Sequence, residues 1–283
     1  MRGELLGLTL ILAVVGCAAH DDRPLDPAVR AAALSLVDEP DRVLVRAEYR
    51  AIAECMAGHG MRYPPAETMQ ADVPVSDGYG GRLAAVPDPS TDSDLVQRAY
   101  LDGLPQNERS RYWNTLRPEN SPMSSVVLPD GKQVSLAVDG CEAAGRAAVY
   151  GSVPDYLGTM TFPAAVAAAA GDVTNTPAVR TALAGYGGCM SAAGYQVGSP
   201  REALALARQR FGTRENAAPA GEDERVMAAT DHGCQRQNRI PQVLRSTMVD
   251  QAAGWIMSVE RDVLRLAEIQ RRAVRRASAM VGP

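Results

Sequence analysis

The stretch Cys55-Met56-Ala57-Gly58-His59-Gly60-Met61 returns later in the chain as Cys189-Met190-Ser191-Ala192-Ala193-Gly194-Tyr195. In both, methionine follows the cysteine and a glycine stands five residues beyond it. Upstream, apolar residues keep the same distances from the cysteine: Val45, Tyr49, Ile52 and Met56 in one copy, Val179, Leu183, Tyr186 and Met190 in the other. Their spacing of four, three and four marks one stripe of an α-helix turned toward a core. Arg46 and Arg180 follow the first stripe residue in each copy. The closing glycine suits the left-handed residue at which many helices stop. The copies suggest a duplication, but two are too few for a solenoid.

The N-terminus bears on what the cysteines do. Arg2 precedes an apolar run of eleven residues, Leu5 to Val15, which is too short to span a bilayer and suits a signal peptide. The run ends Val14-Val15-Gly16-Cys17. That ending resembles the bacterial lipoprotein box, in which the chain is cut before the cysteine and its thiol carries a diacylglyceryl group with palmitate-type chains. The resemblance implies lipidation at Cys17. The alternative is an ordinary signal peptide with a chance cysteine. Stable anchoring takes more than one acyl chain, each buried CH₂ contributing about 0.8 kcal/mol.

Without Cys17, four cysteines remain, an even number that reads as two disulfides in an exported chain. Each repeat is followed by its own Gly-Cys, at Gly140-Cys141 and Gly233-Cys234. Of three connectivities, the repeat selects Cys55 with Cys141 and Cys189 with Cys234. In the chain-entropy account these loops contribute about 4.6 and 4.0 kcal/mol. His59 follows Cys55 by one helical turn and His232 precedes Cys234 by two residues. Thiolate–imidazole chemistry or a zinc site is therefore the competing reading.

Only 5% of the 283 residues are aromatic and alanine is abundant, which favours closely packed helices over a thick β core. The formal net charge of −4 argues against a nucleic-acid partner. The chain divides into a signal peptide over 1–16, a lipidated tether over 17–40, a first cysteine repeat over 41–150, a connecting segment over 151–175, a second repeat over 176–239, and a C-terminal amphipathic helix over 240–283. Pro27 opens a short helix to Leu36 within the tether, and Asp41 caps the first cysteine helix. Residues 70–91 read as a loop, because Asp77-Gly78-Tyr79-Gly80-Gly81 lacks the spacing of a dinucleotide fingerprint.

Ser93 or Thr91 starts a helix to Gly103, and another runs from Pro105 to Arg117 with Trp113 and Leu116 on one side. Val126 to Leu128, the turn Pro129-Asp130-Gly131-Lys132, and Gln133 to Leu136 predict a hairpin, which must lie on helices because it is marginal alone. The spacing predicts an alanine helix from Pro163 to Ala170, a second cysteine helix opened by Thr176-Pro177, a capping box Ser199-Pro200-Arg201-Glu202 before a helix to Phe211, and a helix from Glu222 to Asn238. Beyond Pro241 a long helix is expected to about Ala277, with Met248, Trp255, Val259, Val263 and Leu266 as its stripe and Glu268 paired with Arg272. The fold expected is mostly α: a disulfide-stapled helical domain of two related halves, with one small β-hairpin and a long C-terminal helix.

Gly140-Cys141-Glu142-Ala143-Ala144 leading to Tyr150-Gly151, Val179-Arg180 leading to Cys189-Met190 and Gly194-Tyr195, and the run Glu224 to Asp231 before Cys234 resemble uncharacterised exported lipoproteins of actinobacteria. The resemblance spans residues 41 to 277 and implies a compartment and a helical fold, not an activity. Glycines at 185, 187 and 188 depart from that pattern.

No Gly-x-Ser-x-Gly, His-Glu-x-x-His, P-loop or EF-hand pattern occurs, so no catalytic residue, cofactor or metal is assigned. Tyr63, Tyr79, Tyr100 and Trp113 are candidates to line a cleft, although their scatter favours packing. Arg46 and Arg180 are candidate ligand contacts, with pairing at the surface as the plainer reading. Arg271, Arg272, Arg275 and Arg276 crowd the last helix. They either complement its dipole or contact anionic headgroups or wall polymers. The leading reading is an extracytoplasmic lipoprotein, anchored to the membrane, that serves as a binding or interaction module of the cell envelope. Its partner would be a wall polymer or another envelope protein. The alternatives are an envelope hydrolase with an unrecognised site and an extracytoplasmic metal or redox protein using Cys and His.

Overall fold

The structure, a computed structural model, describes residues 24–38, 42–63, 93–212 and 221–282. Cys17, Tyr79 and the expected cap Asp41 lie outside them. Among the described residues the chain runs α1 (Pro27–Val37), α2 (Arg42–Gly58), α3 (Ser93–Asp102), α4 (Gln106–Leu116), β1 (Met123–Val127), β2 (Gln133–Ala137), α5 (Cys141–Tyr150), α6 (Val153–Ala170), α7 (Pro177–Ala192), α8 (Pro200–Phe211), α9 (Glu222–Gln237), α10 (Ile240–Gln251), α11 (Ala253–Ser258) and α12 (Glu260–Val281). The fold is mostly helical, with one antiparallel hairpin in which Ser125 faces Ser135, and a long last helix. None of these helices is long and apolar enough to cross a membrane.

The core has three parts. The largest gathers Val29 and Leu36 of α1, Leu44 and Ala47 of α2, Val149 of α5, Phe162 and Val166 of α6, and the buried stripe of α12. A second, around Ile52, Met56, Met61, Tyr112, Leu116 and Cys141, joins the end of α2 to α4 and α5. A third, around Tyr186, Met190, Ala203, Met227 and Cys234, joins α7, α8 and α9. The first disulfide lies in the second part and the other disulfide in the third. Helix α2 passes from the main core into its satellite, and α10 does the same on the other side with Val249 and Ile240.

The repeated motif ends both helices identically. Gly60 and Gly194 adopt φ of +73° and +90°. The N–H of the next residue reaches back to the methionine carbonyl, Met61 to Met56 and Tyr195 to Met190, at 2.9 Å in each case. The glycine N–H bonds the carbonyl three residues earlier, Gly60 to Ala57 and Gly194 to Ser191. This is the Schellman closure. It explains the motif: methionine supplies both the terminal carbonyl and a buried side chain, and the residue after glycine packs onto it.

Several expectations require correction. Helix α1 is not tether; it is capped by Asp26, whose carboxylate accepts from the Ala28 N–H, and five of its residues are buried in the main core. The small side chains of its buried Ala32 and Ala33 let it lie close to α12. The connecting segment contributes Phe162 and Val166 to the main core. Helix α6 starts ten residues before Pro163, because Ser152 caps it by accepting from the Asp155 N–H. Pro163 sits in its interior, after Thr159 and Thr161, whose hydroxyls bond back to the carbonyls of Asp155 and Leu157. Helix α6 packs on α12 closely enough that a Cβ at Gly158 would meet Leu266 at 2.9 Å.

The C-terminal segment is three helices, broken at Ala252 and Val259. Its buried line through Val249, Ala252 and Ile256 runs one residue beside the expected Met248, Trp255 and Val259, which flank it half-buried. Val263 and Leu266, the other two residues of the expected stripe, are buried. On α4, Tyr112 is buried and Trp113 is 45% exposed. The Tyr112 hydroxyl, which accepts from Gln97 Nε2 at 3.0 Å, lets it bury a polar end that is satisfied.

Candidate functional site

The N-terminus of α5 is held against the end of α4. Gly140 has φ +89°, and a Cβ there would lie 2.5 Å from Pro118 and 2.6 Å from the Leu116 carbonyl. This approach brings Arg117 beside Glu142, in the first turn of α5. Arg117 Nη2 lies 2.5 Å from Glu142 Oε1, and Arg146 Nη2, one turn further along α5, lies 3.2 Å from Glu142 Oε2. Across the helix interface, Arg146 Nε approaches Glu48 Oε1 of α2 at 3.4 Å. The guanidinium of Arg146 also stacks over Tyr156 at 4.9 Å. The result is a chain of alternating charge, Arg117, Glu142, Arg146 and Glu48. Its last three members are nearly buried, with side chains between 9% and 14% exposed.

Helices α2 and α5 meet closely enough to bury this chain because Gly145 carries no side chain. A Cβ there would lie 2.4 Å from Ile52 Cγ1 and 3.0 Å from the Glu48 carbonyl. Burial pushes the Glu48 carboxyl up to about 7, with Glu142 adding to the rise and Arg146 opposing it. Burial likewise raises the hydroxyls of Tyr150 and Tyr156 above the usual tyrosine range. The bond to Glu142 raises the Arg117 guanidinium. The four-residue set is neutral when Glu48 is ionised and carries a positive charge when Glu48 is protonated.

Outside this chain of charge, a cleft of about 280 Å³ opens between α5 and the hairpin. Arg117, Glu142 and Arg146 form its charged side; Met123, Leu136, Ala137 and Ala143 form its apolar side; Ser135 and Asp139 complete it. Neither histidine nor cysteine is among its lining residues, and the Ser135 hydroxyl is engaged with Ser125 Oγ and Gln133 Nε2. The cleft is suited to holding a ligand by guanidinium donors and apolar contact.

The four remaining cysteines pair as the repeat implies. Cys55 joins Cys141 and Cys189 joins Cys234, with Cα separations of 5.5 and 5.7 Å. The partner positions differ, however: Cys141 is the first residue of α5, whereas Cys234 lies in the last turn of α9. His59 stands beside the first pair, its imidazole nitrogen and both sulfurs lying within 4.8 Å of one another. Arg46 is half-buried and Arg180 exposed, on helices that belong to different parts of the core. Tyr63 and Tyr100 pack at the edge of the core around Tyr112, not along the cleft. Gly185 is accounted for by Asn238, whose Oδ1 would lie 2.1 Å from a Cβ there.

Among the C-terminal arginines, Arg271 pairs with Glu268 at 2.7 Å, while Arg275 and Arg272 approach the same carboxylate at 3.6 and 3.9 Å. Arg276 turns inward and donates to the Val149 carbonyl at 3.3 Å. It covers the end of α5 and separates from the other three.

Sequence reading missed the cleft and its charges. The signal available was Glu142 and Arg146, an i,i+4 pair of opposite charge on a helix otherwise made of small and apolar residues. Compared with protein-family models, curated proteins and solved structures, the chain matches none.

Proposed function

We propose that the protein is an extracytoplasmic lipoprotein, anchored by acylated Cys17, that acts as a binding module of the cell envelope. Its ligand occupies the cleft between α5 and the hairpin. The cleft carries this reading: Arg117, whose side chain is 62% exposed, lines it together with the apolar Met123, Leu136, Ala137 and Ala143. That pairing suits a fragment of wall polymer that presents an acidic group on a partly apolar body. Leu25, the first core residue among those described, lies eight residues after Cys17. At full extension eight residues span about 28 Å, which keeps this end of the core near the membrane. Arg271, Arg272 and Arg275 outnumber the one carboxylate they share and supply a secondary contact to anionic headgroups or wall polymer. On this reading the chain is one of the exported actinobacterial lipoproteins its motifs resemble.

Two measurements test it. Globomycin, or Cys17→Ser, is expected to leave the protein unprocessed or to release it from the membrane fraction. A Cys17→Ser protein that matures and stays bound without acyl label would refute the anchor. Calorimetric titration of the soluble domain with acidic muropeptides is expected to show binding that Arg117→Ala weakens about tenfold, the loss of one charge-assisted hydrogen bond. Equal affinity in Arg117→Ala would remove the cleft from the proposal.

A further inference from the structure

The two disulfides place their sulfurs in different fields. Cys141 begins α5, a helix of ten residues whose first turn has no side-chain cap. Its sulfur therefore sits at the positive end of a helix, where unpaired N–H groups stabilise a thiolate. The other three cysteines, Cys55, Cys189 and Cys234, lie in the last turns of their helices, beside carbonyls that disfavour one. His59 adds a proton donor within 4.8 Å of both Cys55 and Cys141. The Arg111 guanidinium bonds the His59 carbonyl at 2.8 Å, bringing a further positive charge to that helix end. Glu142, the carboxylate nearest in sequence, is occupied by Arg117 and Arg146. The second bridge has instead the Gln237 side-chain oxygen, 3.6 Å from Cys189 Sγ. Accessibility also orders the sulfurs of the first bridge, since Cys55 is half-buried and Cys141 buried.

We propose that Cys55–Cys141 is a thiol-exchange site that a low-molecular-weight thiol opens while Cys189–Cys234 stays closed. The incoming thiolate attacks Cys55 Sγ, forming a mixed disulfide there. The Cys55–Cys141 bond breaks and its electron pair leaves on Cys141 Sγ, at the head of α5, with His59 supplying a proton. A second thiolate then attacks the outer sulfur of the mixed disulfide and releases Cys55. In sum, two thiols are oxidised to one disulfide and the protein bridge is reduced to two thiols. A better leaving thiolate departs faster, which sets the order of opening. The site is independent of the ligand cleft, although Glu142 of the cleft follows Cys141 directly.

The test exposes the intact mature protein to graded reduced glutathione, quenches by alkylation, and maps each cysteine by mass spectrometry. At each thiol concentration Cys55–Cys141 is expected to open about tenfold faster than Cys189–Cys234, with the first glutathione adduct on Cys55. His59→Ala is expected to slow that opening about tenfold, at the low side of what a positioned proton donor contributes, and to leave the rate at Cys189–Cys234 and the melting temperature unchanged. Simultaneous opening of both bridges, earlier opening of Cys189–Cys234, a first adduct on Cys141, or an unaltered rate in His59→Ala would each overturn the proposal.

Discussion

The helix pairs α2–α5 and α7–α9 begin from the same motif and diverge in how they use it. The duplicated part is one helix: its apolar stripe, its cysteine one turn from the end and its Schellman closure recur in both. The partner helix is not duplicated in the same sense, since one offers its cysteine from its first residue and the other from its last turn. Each pair approaches closely through a glycine one turn from a disulfide cysteine, but Gly145 lies on the partner helix and Gly185 on the repeated one. Position seven before the cysteine is Glu48 in one copy and Ala182 in the other. The first pair accordingly buries a chain of ionic groups. The second buries Asp231, which accepts from Tyr186 and Gln235 Nε2. A shared covalent frame thus constrains where two helices meet and leaves the chemistry of the interface open.

The largest effects come from removing each staple. Replacing Cys55 and Cys141 by alanine, or Cys189 and Cys234, should lower stability by about 4.6 and 4.0 kcal/mol respectively, since the loops span separations of 86 and 45 residues. The losses should differ in where they fall. Without Cys189–Cys234, hydrogen exchange should rise first in α7 to α9, whose core is a satellite. Without Cys55–Cys141 it should rise along α2, which is shared with the main core. Uniform exchange in both variants would show that the two pairs are one cooperative unit.

A smaller effect separates the two glycines. Gly145→Ala should destabilise by about 1–3 kcal/mol, because its Cβ meets the base of Ile52 and the α2 backbone, neither of which can swing away. Gly185→Ala meets only the Asn238 amide. Moving that amide costs its bond to the Cys234 carbonyl, offset by roughly 1 kcal/mol of helix propensity, so little net change is expected. Urea unfolding of the two variants side by side measures the difference, and equal losses would sink the distinction between a backbone and a side-chain obstacle.

What was legible in the sequence was local or covalent. The helix ends at Gly60 and Gly194, the helix start at Thr176-Pro177, the cap at Ser199, the hairpin turn at Asp130-Gly131 and the cysteine pairs all follow from spacing within a few residues, from parity or from the repeat. What was not legible depends on contacts between distant segments. Pro163 reads as a helix start until Ser152 is seen capping the same helix about three turns upstream. Helix α1 reads as tether because its alanines are apolar enough to bury only when another helix comes close. Glu48 and Arg117 reach the site from opposite ends of the first half, and nothing in the neighbourhood of either shows the other.

The remaining effect, and the one that bears most directly on the contrast between an ionic and a duplicated apolar position, is the pH dependence carried by Glu48. Its carboxyl is raised to about 7, burial being the main cause. A carboxyl raised on folding binds more protons in the folded than in the unfolded chain between the two values, so stability falls as pH rises through that interval. The contribution is therefore most favourable below about 4.3, where an unfolded glutamate is also protonated, and declines until Glu48 is ionised in the fold above about 7. Glu48→Gln keeps the shape and removes the titration. Subtracting its urea stability from that of the natural protein cancels the other titrating groups and isolates this one. The natural protein should lose ground to Glu48→Gln steadily from pH 5 to pH 7.5, while Glu48→Ala, the residue of the other repeat, should be less stable than Gln throughout because Arg146 and the space beside Gly145 are left unfilled. A difference that is flat across that range would mean that Arg146 holds Glu48 ionised in the fold throughout it, and the first pair would then be a fixed ionic lock between pH 5 and pH 7.5 rather than one that protonation relaxes.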